Sequence, residues 1–201
     1  SLTQCRFKMI TASSHDISRA MAARDLHIAV AASTGELREE IVEYPLVRDP
    51  FILVAPKGFI TDPTHQSELL NKLPLLRYGR EQLISQQIEA HLARQKLVFE
   101  ERFEIGSHLA LMAMVARRIG WAVTTPLGYM RAARFHNQID AFALPFGTFS
   151  RNISLFAAAD WADRVPLDVA RTMRHLVQSQ VITPAIGQLP WLAGHLQVID
   201  G

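Results

Sequence analysis

Short apolar runs alternate with amphipathic segments along most of this chain. The first unit combines a predicted strand at 6–10, a polar turn, a helix at 17–24 and an apolar strand at 26–31. Later predicted strands occupy 41–47, 51–56, 73–78, 103–105, 121–125, 140–145 and 152–158. Predicted helices cover 67–72, 82–96, 127–135 and a segment that Pro166 opens, whereas the stretch from Pro184 onward has no regular pattern. This alternation predicts an α/β fold with largely parallel sheets.

Two shifts in composition divide the chain. Residues 57–67 are rich in Gly, Thr, Asp, Pro, His and Gln, and the pattern changes again after Gly147. We therefore expect one subdomain to be inserted into another, with residues 1–56 and 148–201 in the first and residues 57–147 in the second. A turn at residues 48–50 is expected to separate two strands of the first subdomain.

Residues 103–126 predict a compact strand, turn, helix and strand. Ser107 stands where a helix N-cap belongs, and Gly106 beside it allows another molecule to approach the backbone. Arg117 and Arg118 place cations at the end of the helix, and Gly120 is expected to let the chain reverse. Such a helix N-terminus favours anions. The alternative is an ordinary turn that meets only water.

The composition is that of a folded protein without a strong electrostatic footprint. The chain has 201 residues, of which 49% are hydrophobic and 20% charged. Its 21 Lys and Arg residues exceed its 19 Asp and Glu residues by two and are dispersed, which argues against direct binding of nucleic acid by this chain. The single cysteine, Cys5, excludes an internal disulfide and multi-cysteine zinc sites.

Membrane and export signals are also missing from the pattern. No basic and apolar leader opens the sequence, and no apolar run approaches the roughly 20 residues of a membrane span. We therefore expect neither a membrane partner nor export. Because Ser1 leads directly into a predicted strand, we expect the chain to be part of a larger gene product.

The usual catalytic and cofactor motifs are absent. The sequence contains no G-x-S-x-G, Walker A, G-x-G-x-x-G, H-E-x-x-H or EF-hand pattern. His15 and Asp16 form an acid–base pair in a predicted turn, and we interpret Asp16 as a helix-start residue and His15 as a surface group. We expect no enzymatic activity, no cofactor and no metal site.

Polar groups at the ends of predicted strands can nevertheless meet in a cleft. They supply hydroxyls, backbone amides and one guanidinium, which suit an anion and include no nucleophile with its base. Arg77 can pair bidentately with a carboxylate, or it can be a solvated cation. The candidate ligand contacts are Ser13, Ser14, Arg77, Tyr78, Gly106, Ser107, Thr124 and Thr125.

Four segments in a fixed order resemble the effector-binding domain of LysR-type transcriptional regulators. They are DLHIAV at 25–30, EYPLVRDPFILVAP at 43–56, LPLLRY at 73–78 and MVARRIGWAVTTP at 114–126. His27 and Arg118 depart from the family pattern, which usually has an acidic residue at the first position and a glycine near the second. The ordered set spans nearly the whole chain, so we interpret the protein as a divergent member.

The resemblance implies a fold like that of type 2 periplasmic-binding proteins. Two Rossmann-like α/β subdomains would be joined by two crossover strands, near 52–56 and 148–157, with a small effector bound between them. The family's ligand contacts match Ser14, Arg77, Gly106 and Ser107, and, less closely, Thr124 and Thr125. The family's first strand and helix, and its DNA-reading winged helix-turn-helix, would precede Ser1.

The expected function is therefore ligand sensing in a bacterial transcription factor. A small, anionic effector would bind in the interdomain cleft of a cytoplasmic homodimer or homotetramer and alter its action on DNA, which an N-terminal helix-turn-helix would contact. A periplasmic-type solute-binding protein for a small organic acid is the alternative, and an enzyme acting on such an acid is a third.

Overall fold

The computed structural model describes residues 14–23, 25–35, 40–62, 66–100, 102–161 and 164–199. Their strands are β1 (Ile28–Ala32), β2 (Ile41–Pro50), β3 (Ile52–Pro56), β4 (Leu76–Tyr78), β5 (Phe103–Ile105), β6 (Ala122–Thr124), β7 (Ile139–Ala143), β8 (Ser150–Ala158) and β9 (Gln197–Val198). Their α-helices are α1 (Ser14–Ala22), α2 (Gln66–Leu70), α3 (Leu83–Arg94), α4 (His108–Ala116), α5 (Pro126–Arg131), α6 (Arg164–Val177) and α7 (Thr183–Gln188).

The first sheet brings together strands from both ends of the chain. Its order is β1-β8-β2-β9, and the three pairings are antiparallel. Strand β8 lies between β1 and β2, opposite Ile28–Ala32 on one side and Ile41–Pro50 on the other. The late segment therefore completes a sheet that the early segment begins.

The second group of strands is built from the middle of the chain. Strand β3 lies between β6 and β7, antiparallel to both, and β4 pairs in parallel with β5. A parallel bridge between Leu75 and Trp121 joins the two parts, so that the order across them is β5-β4-β6-β3-β7. Strands β4, β5 and β6 thus run in the same direction, and their carboxyl ends lie at the same edge.

The mixed α/β architecture confirms the fold predicted from the sequence, but the expectation of largely parallel sheets is wrong. Within the described ranges, the parallel pairing is confined to β4, β5 and the start of β6. The chain passes from the first sheet to the second group through β2 and β3 and returns through β7 and β8. The returning strands are therefore antiparallel to the outgoing ones, β8 to β2 and β7 to β3. Apolar runs do not reveal strand direction.

The expected turn at residues 48–50 is also wrong. Arg48, Asp49 and Pro50 continue strand β2 and pair with Asn152, Arg151 and Ser150 of β8. Phe51 alone separates β2 from β3, which belongs to the second group of strands. The chain therefore crosses between the sheets in an extended conformation.

The most deeply buried part of the core includes β3 and the residue that precedes β6. Ile52, Leu53, Val54 and Trp121 have 2% or less of their surface exposed. The Trp121 indole donates hydrogen bonds to the carbonyls of Leu70 and Leu73, which satisfies the buried N–H. None of the helices in the described ranges is long and apolar enough to cross a bilayer.

Helix α4 ends differently from the sequence expectation. Arg118, rather than Gly120, has the left-handed φ, at 62°. Gly120 serves packing instead, since a Cβ there would lie 2.4 Å from the Pro74 carbonyl oxygen. The C-terminal stretch predicted to be irregular contains α7 and β9, and a single π turn at Gln178–Ile182 joins α6 to α7.

Candidate functional site

The carboxyl ends of β4 and β5 meet the start of α4. The Gly79 amide donates to the Ile105 carbonyl at 3.1 Å, and the Gln82 side chain donates to the Gly106 carbonyl at 2.7 Å. The turn that leads into α4 is therefore held against the end of β4. Ligands of open α/β sheets bind at such carboxyl ends.

Ser107 is the N-cap of α4, which confirms that part of the sequence prediction. Its hydroxyl oxygen accepts a hydrogen bond from the Ala110 amide at 3.4 Å, and the first-turn amides that precede Ala110 have no intrahelical acceptor. Gly106 and Ser107 are exposed, and a Cβ added at Gly106 would meet nothing within 4 Å. The start of α4 is open to a ligand.

Behind this open turn lies a hydrogen-bonded network centred on His108. Its Nδ1 lies 2.8 Å from the Tyr78 hydroxyl, which in turn lies 2.8 Å from Thr124 Oγ1. The other ring nitrogen, Nε2, lies 2.7 Å from the Gly128 carbonyl oxygen. A side chain at position 128 would collide with Thr124 and His108, so the close approach requires glycine there.

The Gly128 carbonyl fixes the direction of these hydrogen bonds. A carbonyl can only accept, so Nε2 of His108 carries a proton and donates it. In the neutral ring Nδ1 is then the acceptor and receives the Tyr78 hydroxyl proton, which leaves the Tyr78 oxygen to accept from Thr124. Helices α4 and α5 are thus tied together through one imidazole.

Burial keeps the network uncharged. Desolvation lowers the pKa of His108 from its ordinary value, with a smaller contribution in the same direction from Arg131 and Arg151 and an opposing one from the Gly128 hydrogen bond. Desolvation also raises the pKa of Tyr78 to about 12. At neutral pH both rings are therefore neutral hydrogen-bonding groups.

A buried ion pair lies where the two crossing segments meet. Asp49 of β2 is fully buried, and its Oδ2 accepts a hydrogen bond from Nε of Arg151 on β8 at 3.0 Å, while Nη2 of the same guanidinium lies 3.0 Å from Oδ2. Complete burial raises the pKa of Asp49, and the Arg151 charge opposes that shift. Because β2 leads into β3 and β8 follows β7, the pair joins the two segments that connect the first sheet to the second group of strands.

The same ion pair reaches the start of α5. Asp49 Oδ1 accepts from the Leu127 amide at 3.2 Å, and Arg151 Nη2 donates to Thr125 Oγ1 at 3.2 Å. Thr125 is the N-cap of α5 and accepts from the Gly128 amide. Residues of the first sheet therefore satisfy the first turn of a helix in the second group, next to the His108 network.

The structure brings together Tyr78, Gly106, Ser107, Thr124 and Thr125 of the predicted contacts. Thr124 and Thr125 are completely buried, so they position Tyr78 and α5 rather than present their own hydroxyls to solvent. Ser13 lies outside the described residues. Ser14 begins α1, and its side chain is also outside them.

Arg77 is not brought into this group. Alternate residues of a strand point to opposite faces, and its side chain lies on the α3 face of β4, where it pairs with Glu89 and donates to the Phe99 carbonyl at 2.9 Å. Sequence reasoning had also passed over His108, Asp49 and Arg151. His108 follows the predicted N-cap directly, which was an available signal, whereas the Asp49–Arg151 pair joins residues far apart in the chain.

The described residues offer no metal centre. Among them, no group of three or more His, Cys, Asp and Glu side chains could hold an ion. The site is equipped for hydrogen bonding by amides, hydroxyls and one neutral imidazole.

Several solved structures have a similar fold. The reduced form of OxyR from N. meningitidis is 18% identical, with 94% of this chain and 82% of that chain covered and a TM-score of 0.65. The apo regulatory domain of HypT from Salmonella typhimurium is 13% identical, with coverages of 88% and 85% and a TM-score of 0.67. The H2O2-bound C206S mutant of Corynebacterium glutamicum OxyR is 15% identical, covers 88% of this chain and 56% of that chain, and has a TM-score of 0.72. At these identities the likeness shows the fold.

The family itself is shown by sequence. No curated protein matches the chain. The family model described as the LysR substrate binding domain matches residues 3–177, which is most of the chain and includes every segment that carried the resemblance. The chain therefore belongs to the LysR substrate-binding-domain family and is an effector-binding regulatory domain of the LysR type.

Proposed function

We propose that this domain senses a small anionic effector in the cleft between its two groups of strands, at the start of α4. The observation that carries the proposal is the open turn at Gly106 and Ser107, backed by the His108 network and adjoining the Asp49–Arg151 pair. A ligand there would contact one group of strands beside the segments that join it to the other. Its presence would control transcription by the full-length cytoplasmic protein.

The chemistry of recognition would be hydrogen bonding more than ion pairing. The amides at the start of α4, the Ser107 hydroxyl and the helix dipole favour an anion, while His108 is neutral and Arg151 is already compensated by Asp49. Ser13 and Ser14 are proposed to face the ligand from the first subdomain. We assign Arg77 no direct contact here, because Glu89 and Phe99 hold its guanidinium.

Binding would act by shifting a population of conformations. Contact at Ser107 or His108 favours one position of α4, and the bonds through Gly128 and Thr125 connect that helix to Arg151. The effector needs only to bind one arrangement of the two subdomains more tightly than the other. In an oligomer whose DNA-binding parts lie outside this chain, such a shift would change how they meet DNA.

A thermal-shift screen with a panel of small mono- and dicarboxylates tests this function. A ligand at 100 times its dissociation constant stabilises the folded state by about 2.7 kcal/mol, so a genuine effector raises the melting temperature measurably. Hits should be titrated by calorimetry against Gly106→Val, whose Cβ would enter the space in front of α4 without meeting a protein atom within 4 Å. We expect this variant to fold normally and to lose affinity.

Gly187→Ala is the matched control, since Gly187 on α7 is equally open. It should bind the hit as the unaltered chain does. Unchanged affinity in Gly106→Val would remove the start of α4 from the site. A panel in which no acid stabilises the chain would contradict an anionic effector.

A further inference from the structure

A separate cavity lies on the α3 face of β4 and β5. Its volume is about 420 Å³, within the range of small-molecule sites. Residues from β4, α3 and β5 line it, with Phe103 as an apolar wall: Arg77, Tyr78, Arg80, Ser85, Glu89, Arg102, Phe103 and Glu104. The adjacent void beside Arg77 has only about 10 Å³, room for a single water at most, so of these two voids the larger is the one that can hold a ligand.

The lining carries more positive than negative charge. Three arginines face two glutamates, with Arg77 paired to Glu89 and Arg80 to Glu104 at 3.2 Å. The third, Arg102, approaches Glu100 only to 3.9 Å. The lining thus has three arginines against two carboxylates, and Glu100, which does not line the cavity, is the partner of Arg102.

Arg77 gives the cavity a buried cation that is incompletely satisfied. Its side chain is 12% exposed, whereas that of its partner Glu89 is 44% exposed. Within the described structure its Nε is buried and has no hydrogen-bond partner. A buried unpaired donor is costly. Because this atom has almost no accessible surface, Arg77 can act on a ligand in the cavity through its charge but not through the Nε hydrogen.

We propose that this cavity binds a small dianion, such as a dicarboxylate or a phosphate, at a site distinct from the start of α4. Arg80 and Arg102 at its rim hold the two acidic ends, and the Arg77 charge beneath them supplies the potential that attracts the ligand. Tyr78 separates the two sites, because its hydroxyl is directed to His108 and Thr124 on the other face of the strand. The site does not depend on the effector proposed above.

Malonate and inorganic phosphate are suitable probes with the 201-residue chain. Isothermal titration at constant ionic strength, with chloride as the reference anion, should show saturable binding of at least one of them. Arg80→Gln and Arg102→Gln leave the fold intact because both side chains are more than half exposed. Each should weaken binding about fivefold, the value of an exposed charge pair of about 1 kcal/mol. Arg171→Gln, an exposed arginine on α6, is the matched control and should change nothing.

Ser107→Ala separates this cavity from the start of α4. Malonate or phosphate affinity that survives Ser107→Ala but falls in Arg80→Gln and Arg102→Gln supports the cavity. Three results overturn the proposal: heats no larger than those with chloride, equal weakening by Arg171→Gln, or binding that is lost in Ser107→Ala and retained in the two cavity variants.

Discussion

His108 makes a hydrogen bond through each ring nitrogen, and only the neutral ring has the arrangement described here. Its neighbours Tyr78 and Thr124 are buried, so few alternative partners are at hand. A group of this kind couples the protonation state of one side chain to the packing of α4 against α5. It also places a neutral imidazole, and not a cation, beside the proposed effector site.

The stability of the domain should therefore depend on the protonation of His108. Its pKa in the folded state lies below the ordinary value of 6.5, so the unfolded chain binds the proton more tightly. The stabilising contribution is complete above pH 6.5 and is lost as the pH falls through the folded pKa. Urea unfolding over this range, compared with His108→Gln, should show the loss only in the unaltered chain. Parallel pH profiles for the two proteins would contradict the assignment.

At the level of single elements, the sequence predicted contacts between neighbouring residues but not contacts between residues far apart in the chain. The N-cap role of Ser107 was predictable because a hydroxyl before an apolar helix acts within four residues. The first turn of α5 is satisfied partly by Asp49, 78 residues earlier in the chain, and no local pattern announces that partner. For the same reason the sequence did not reveal the partner of Arg77. Its pairing with Glu89 depends on how α3 packs over β4.

Two glycines that flank α4 should respond differently to substitution. Gly120→Ala places a methyl group against the Pro74 carbonyl and Leu76, and we expect a loss of about 2 kcal/mol in the free energy of unfolding through overpacking. Gly106→Ala meets open space and should change stability by less than about 0.5 kcal/mol. Urea denaturation checks both, and similar losses in the two variants would contradict the close packing of Gly120 against Pro74 and Leu76.

At the scale of the whole molecule, two extended segments cross between the sheets and carry the Asp49–Arg151 pair between them. Phe149 stacks on Phe51 at 4.0 Å and on His91 of α3 at 3.9 Å, so aromatic packing accompanies the ion pair at this junction. The α/β class followed from the sequence because apolar periodicity is a local property. The antiparallel entry of β3 and β8 did not follow, because it depends on where the chain leaves and rejoins each sheet.

We expect a ligand at the start of α4 to alter the two segments that cross between the sheets. Amide hydrogen exchange of the 201-residue chain, with and without the most stabilising acid from the screen, tests it most directly. We expect increased protection at residues 106–110, at Leu127 and Gly128, and at Asp49 and Arg151. Protection confined to other parts of the chain, or protection at α4 with no change at the crossings, would contradict it.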